Sequence, residues 1–382
     1  MKKKNNLIKF VVVYLLMLIT ICGGIMLNHN TTNCVVQASD NSKAMCVIEK
    51  DSKRVLLAKN ENERLANAST TKIVTFLTVL KNCNNFDEKI KIDDRAVGIR
   101  GTSIYLKKGE ELTVRELLYG MMLVSGNDAA TALALHISKS IDDFALLMTK
   151  EAHTIGAINS NFKNPHGLDE KDHYTTAYDL ALIASECYRY PIFKEIVTTK
   201  NTKISNADNS YRYLKNKNKL LWTLDGANGV KTGFTNNAGR CLVSSAKRDN
   251  MQLICVVLNC GPMFEESVMH LNECFSKYKM VKLLPEYSYI KNVNVENSKS
   301  VDVKVYTKHS FCYPLTSEEE QQIKIEIAVP NYLTAPLKKE QIVGELKIYL
   351  DKHLLFCEKI YTMEEIKSNR IGDIVKVIIS KW

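Results

Sequence analysis

The hydrophobic period changes along the chain, and that change limits what it can fold into. "TVRELLYGMMLV" (113–124), "DAATALALHISKS" (128–140), "TTAYDLALIASECYRY" (175–190) and "EESVMHLNECFSKY" (265–278) carry apolar residues at helical spacing. Thr113 and Glu116 have capping-box spacing at the head of the first, and "SGN" (125–127) makes the bend before the second. "AMCVIEKDSKRVLLA" (44–58) predicts a hairpin around a polar turn. From residue 228, "NGVKTGFT", "AGRCLVSSA" and "MQLICVVLN" predict short antiparallel strands separated by turns. Beyond about Leu283, "VDVKVYT", "QIKIEIAV" and "VGELKIYL" alternate with period two, which predicts an all-β second domain. The 382 residues suffice for two domains. No internal repeat is evident.

Both ends differ from this pattern. "MKKKNNLIKF" has four lysines and no acid, and the apolar run "VVVYLLMLITICGGIML" follows it to Leu27. Val36 and Ala38 supply a small-residue cleavage pattern, so residues 1–38 are expected to be an export signal cut after Ala38. The alternative is an uncleaved membrane anchor, since the run is about long enough to span a bilayer. Either way the remainder is expected outside the cytoplasm. At the other end Ile371, Ile374, Val375, Ile378, Ile379 and Trp382 recur at helical spacing, with Asp373, Lys376 and Lys381 opposite. This predicts an amphipathic helix on a membrane surface within 362–382; one more strand is the alternative.

The formal charge is +10, and removing residues 1–38 with their four lysines leaves +6. That basicity suits an anionic envelope. No Arg/Lys block interleaved with aromatics points to nucleic acid. Of the eleven cysteines, nine follow Ala38, with no CxxC and mostly apolar neighbours. Buried free thiols are expected rather than a disulfide framework. The eight histidines show no HExxH or paired ligand spacing, so no metal site is expected. His166 and His173, in "NPHGLDEKDHY", are read as loop residues.

Three short motifs carry chemistry. In "NASTTKIVTFLTVL" (67–80), Ser69 and Lys72 lie three apart, hence on one face if the segment is helical. Serine needs a base to become a nucleophile. A lysine serves only when burial or a second cation keeps its amine neutral. Ser125-Gly126-Asn127 could relay a proton (Ser125), hold an amide (Asn127) and bend sharply at Gly126. Lys231-Thr232-Gly233 on a strand could supply positive charge for a carboxylate and help keep Lys72 neutral, with Gly233 letting a peptide pair along the edge. Each motif alone has an ordinary structural reading: a capped helix start, a helix–helix turn, a strand end. Their conjunction in this order is the signal.

That ordered set resembles the S-x-x-K, S-D-N and K-T-G set of penicillin-binding proteins and class A β-lactamases. "ASTTKIVT", "LVSGNDAATALA", "NPHGLDEKDHYTTAYDLALIA" and "GVKTGFT" together look like the D-alanyl-D-alanine carboxypeptidases, the low-molecular-mass penicillin-binding proteins. "LTAPLKKEQIVGELKIYLDKHLLF" resembles the β-rich C-terminal domain of that family. The resemblance implies an α+β fold: a β-lactamase/transpeptidase-like catalytic domain over 39–281, an antiparallel sheet flanked by helices with a helical subdomain, then a small all-β domain over 282–361. It implies Ser69 as nucleophile, Lys72 as base and Ser125 as proton relay. Lys231 and Thr232 would bind the terminal carboxylate of a peptidoglycan stem pentapeptide, and Asn127 its backbone. Gly233 would let the substrate pair with the strand. The N–H groups of Ser69 and Phe234 would form an oxyanion hole. β-Lactams would acylate Ser69. The resemblance alone implies that no metal or organic cofactor is needed. SGN in place of SDN is what the carboxypeptidase branch carries, against a β-lactamase. A β-lactamase, a transpeptidase and a non-catalytic wall-binding module are the alternatives.

Overall fold

The computed structural model describes residues 41–206 and 210–372, together with 375 and 379. The expected export signal lies outside the described residues. The chain opens with the expected hairpin, β1 (Ser42–Glu49) and β2 (Val55–Lys59). A 3₁₀ turn over Ala68–Thr71 leads into helix α1 (Lys72–Asn82). Two short strands, β3 (Lys89–Lys91) and β4 (Glu111–Thr113), pair antiparallel.

Helices α2 (Val114–Leu123) and α3 (Asn127–Ile137) flank the "SGN" bend, and α4 (Ile141–Thr154) follows. The capping box at α2 is formed: Glu116 N–H donates to Thr113 Oγ1 at 3.1 Å and Thr113 N–H to Glu116 Oε2 at 2.9 Å. Helices α5 (Ala177–Cys187) and α6 (Pro191–Thr198) precede a hairpin of β5 (Asn201–Ser205) and β6 (Tyr211–Lys215), then the single turn α7 (Leu220–Thr223).

Strands β7 (Ala227–Thr235), β8 (Gly239–Arg248) and β9 (Met251–Cys260) complete a five-stranded antiparallel sheet in the order β2-β1-β9-β8-β7. They are longer than the short strands expected, because β8 and β9 cross the whole core. "MQLICVVLN" reads as a continuous apolar run since β9 is buried on both faces. Helix α8 (Met263–Lys277) covers one face, and α5 with α1 behind it covers the other. Among the described residues the last sheet strand, β7, leaves one edge free of strand pairing, and the 3₁₀ turn packs against it.

The period-two segments form a second core. A pair of β10 (Lys279–Leu284) and β13 (Phe311–Leu315) leads into a six-stranded sheet of β11 (Tyr289–Glu296), β12 (Asp302–Thr307), β14 (Ile323–Ala328), β15 (Tyr332–Thr334), β16 (Ile342–Leu350) and β17 (His353–Thr362). Val293, Val303, Val305, Ile348 and Ile360 fill its interior. Arg54 ties the two parts together: its guanidinium pairs with Glu319 and lies over the rings of Tyr278 and Tyr313.

Among the described cysteines none is paired, and seven are buried. Cys312 and Cys357 are exposed, against the expectation of burial, because each occupies an outward position on its strand. The described residues near the C-terminus, Ile371, Gly372, Val375 and Ile379, are helical and exposed.

Candidate active site

Ser69 does not sit on α1 as the spacing suggested. It belongs to the 3₁₀ turn, and Lys72 is the first residue of the helix proper. The two side chains still meet, because three residues complete one turn of 3₁₀ helix. The turn is set by its neighbours. Ala68 takes φ +48°, in the left-handed region. Asn67 Nδ2 donates to Thr70 Oγ1 and Thr71 Oγ1, both at 3.0 Å. Gly167 packs so closely that a Cβ there would lie 1.9 Å from the Ala68 carbonyl oxygen, a separation no side chain can adopt.

Lys72 is fully buried, whereas Ser69 stays partly accessible. Lys72 Nζ lies 3.0 Å from Ser69 Oγ, 2.7 Å from Asn127 Oδ1 and 2.8 Å from the His166 carbonyl oxygen. Burial first, then the charges of Lys231 and Lys217, hold its pKa well below the ordinary lysine value. A neutral amine has two N–H groups and one lone pair. The two carbonyl oxygens can only accept, so they take both N–H groups. The lone pair is left for the Ser69 hydroxyl, which then donates to Nζ.

Lys231 is also buried, and its amine donates to its own neighbour's carbonyl, Thr232 O, at 2.8 Å. Burial and then the Lys217 charge lower its pKa to about 7. Gly233 brings β7 against the nucleophile: a Cβ there would lie 3.0 Å from Ser69 N and from Asn67 O. Thr232 is half-buried and Phe234 is exposed beside it on the same strand.

The SGN bend works differently from the expectation. Gly126 has φ −58°, and the left-handed residue is Ser125 at φ +69°. Gly126 is required for space instead, since a Cβ would meet Asp128 Oδ1 at 2.9 Å and Ile104 Cγ2 at 3.2 Å. Asn127 commits both ends of its amide, accepting from Lys72 and donating from Nδ2 to Arg100 O at 2.7 Å. The structure thus joins Ser69, Lys72 and Asn127 by direct contacts, brings Gly233 against Ser69 and sets Lys231 within electrostatic reach. It places Ser125 in the adjoining turn, where Lys217 N–H donates to Leu123 O.

Several residues at the site escaped the sequence reading. Asp128, buried, accepts from the N–H groups of Ile104 and Leu106 at 3.0 Å and from Ser103 Oγ, and so fixes the loop facing the bend. The "NPHG" loop roofs Lys72: Thr75 Oγ1 donates to Pro165 O at 2.6 Å and His166 supplies its carbonyl. His173 Nδ1 accepts from Lys163 N–H at 3.1 Å, so its Nε2–H donates to Thr71 Oγ1 at 2.9 Å. Both histidines are loop residues, as read, but they support the nucleophile turn. Only the quoted "NPHGLDEK" string signalled them.

This arrangement matches a family profile described as D-alanyl-D-alanine carboxypeptidase over residues 31–261. The chain belongs to that family. A second profile, the C-terminal domain of penicillin-binding protein 5, matches residues 278–368. The D-alanyl-D-alanine carboxypeptidase DacF of Bacillus subtilis is 33% identical over 355 residues, covering 91% of each chain. The crystal structure of penicillin-binding protein 5 from Haemophilus influenzae superposes with TM-score 0.70 at 27% identity, covering 86% of this chain and 98% of that one. The Streptomyces K15 DD-transpeptidase superposes with TM-score 0.58 at 31% identity, covering 62% of this chain and 97% of that one. Family membership makes the chain a serine-type peptidase on the penicillin-binding fold, and the expected fold class is met.

Proposed function

We propose that the chain removes the terminal D-alanine from peptidoglycan stem pentapeptides through an acyl-enzyme on Ser69. The observation that carries this reading is the three-contact setting of buried Lys72, with Nζ 3.0 Å from Ser69 Oγ and its other two partners oxygens that can only accept. Ser69 Oγ attacks the carbonyl carbon between the two D-alanines as its proton passes to Lys72 Nζ. The oxyanion is received by the N–H groups of Ser69 and Phe234. The C–N bond then breaks, and the proton taken by Lys72 reaches the leaving D-alanine amine through the Ser125 hydroxyl. Water attacks the ester as Lys72 takes its proton, the C–Oγ bond breaks, and Lys72 Nζ returns that proton to Ser69 Oγ.

Lys231 and Thr232 receive the substrate's terminal carboxylate, and the peptide lies along the free edge of β7, past Gly233. Asn127 Nδ2, now on Arg100 O, is the group that can turn toward the peptide backbone. A β-lactam acylates the same serine by opening of its ring amide. The reaction asks for no metal or organic cofactor.

Peptidoglycan lies outside the cytoplasm. The lysine-led apolar N-terminus serves as the export signal in this reading. The exposed Ile371, Val375 and Ile379 rest on the outer membrane surface rather than cross it. Among the described residues no helix is long and apolar enough to span a membrane.

The test is D-alanine release from a synthetic stem pentapeptide by the full chain beside Ser69→Ala. Release by the wild type alone supports the reading. Penicillin attachment without release, or release that gives way to peptide transfer when an amine is added, moves the assignment to a transpeptidase. The likeness to the Streptomyces enzyme makes that the second reading. Labelled penicillin retained by Ser69→Ala would remove Ser69 as the nucleophile.

A further inference from the structure

Far from Ser69, the C-terminal ends of α1 and α3 meet at three side chains of a different kind. Cys83 caps α1, its N–H donating to Val79 O. His136 stands in the last turn of α3, and Glu88 lies in the segment leading to β3. Glu88 Oε1 is 3.0 Å from His136 Nε2 and 3.4 Å from Cys83 Sγ. The sulfur, nitrogen and oxygen atoms all lie within 4.8 Å of one another.

We propose that Cys83, Glu88 and His136 form a binding site for a divalent transition metal of the zinc class. Zinc takes thiolate, imidazole and carboxylate at about 2.0–2.3 Å, which puts tetrahedral ligand atoms about 3.2–3.6 Å apart. The 3.0 and 3.4 Å separations from Glu88 lie close to that spacing, and the remaining pair, Cys83 and His136, is within 4.8 Å, so small side-chain shifts complete the geometry. The donor set selects zinc-like metals over magnesium or calcium, which prefer oxygen alone. Binding replaces the Cys83 thiol proton, which leaves to solvent. His136 then carries its proton on Nδ1 and gives the Nε2 lone pair to the metal. Thiolate and carboxylate together neutralise the cation, and two helix C-termini, the negative ends of their dipoles, face it. Three protein ligands leave a fourth position for water. The metal can arrive from solvent, since Glu88 and His136 remain partly accessible and His136 lines a surface groove with Lys91, Asp93 and Leu135.

Spacing could not announce this site. The three ligands come from separate elements, with Glu88 and His136 48 residues apart in the chain. Its place in the fold suggests what it does. Helices α1 and α3 are already joined at their N-terminal ends, where Lys72 meets Asn127. A metal at their other ends makes a second clamp on the pair that carries the site.

The test is Co²⁺ titration of the full chain, in a Cys312→Ser/Cys357→Ser background that removes the exposed thiols. A near-ultraviolet thiolate-to-cobalt absorption is expected, displaced by Zn²⁺, with a rise in Tm that a chelator reverses. His136→Ala and Cys83→Ser should each abolish the absorption and the Tm rise while still attaching labelled penicillin, which shows that they fold. No absorption in the background protein, or one that persists in Cys83→Ser, overturns the proposal. The cobalt absorption and the Tm rise, which carry the test, do not depend on the carboxypeptidase reaction; only the folding check uses the acylation chemistry.

Discussion

The turn that opens α1 and the edge strand β7 each bury a lysine, and they hold it in different ways. Lys72 is enclosed by three fixed partners, two of them carbonyl oxygens. Lys231, on the edge strand of its sheet, has its own strand's Thr232 carbonyl. Burial and then the charges of Lys231 and Lys217 lower Lys72, whereas burial and then the charge of Lys217 lower Lys231 to about 7. A closed shell makes a neutral base. A buried cation held by one carbonyl can serve as a receptor for an anion, because a carboxylate replaces the solvation that burial removed.

Replacing the base should have the largest effect. Lys72→Ala leaves Ser69 with no group to take its proton, and acylation by labelled penicillin should slow by about 10³–10⁴-fold. Equal rates in wild type and variant would show that the enclosed lysine is structural. Lys231→Ala should be milder, about 10²-fold in kcat/KM, or about 2.7 kcal/mol. The comparison sharpens if a substrate with an amidated C-terminus loses the same factor on the wild type and nothing more on the variant. Independent, additive losses would separate Lys231 from the carboxylate.

The walls around the two lysines also differ. Lys72 is roofed by the segment holding His166 and His173, whose pKa values burial lowers to about 3 and about 4. Both stay neutral in the folded protein and take protons near pH 6.5 when unfolded. Folded-state values below the unfolded one mean that the unfolded chain binds more protons as pH falls. Stability is therefore full above about pH 6.5 and declines below it, by up to about 1.4 kcal/mol per pH unit for each histidine. Urea unfolding between pH 7.5 and 4.5 checks this. His173→Gln keeps a donor for Thr71 and should flatten the slope, and an unchanged slope would assign the acid sensitivity elsewhere.

The same two regions show what a sequence can tell a reader. The "MQLICVVLN" and "VGELKIYL" patterns report local burial, so the strands of both sheets could be read directly. The three motifs could be read because their order resembles that of the penicillin-binding proteins, and Ser69 and Lys72 because residues three apart share a helical face. The roof over Lys72 could not. Its contacts, Gly167 against Ala68 and His166 O against Nζ, join residues about a hundred positions apart, and backbone carbonyls leave no signature in residue type. Lys217 hid for a related reason, since charge acts through space. Gly126 misled because glycine serves close approach as well as positive φ, and here the left-handed position fell to Ser125.

Lys217 offers the finest test of the comparison, because its charge reaches both lysines. Lys217→Gln removes one cation and should raise both pKa values, modestly because Lys217 itself is exposed to screening solvent. Acylation needs Lys72 without its proton, so the acid limb of the pH–rate profile moves up. Carboxylate binding needs Lys231 with its proton, so the alkaline limb moves up as well. The whole bell should therefore shift to higher pH with little change in height. A shift of the alkaline limb alone would mean that the acid limb does not report Lys72, and the enclosed lysine would lose its claim to be the base. Opposite shifts would show that the two limbs belong to groups other than this pair.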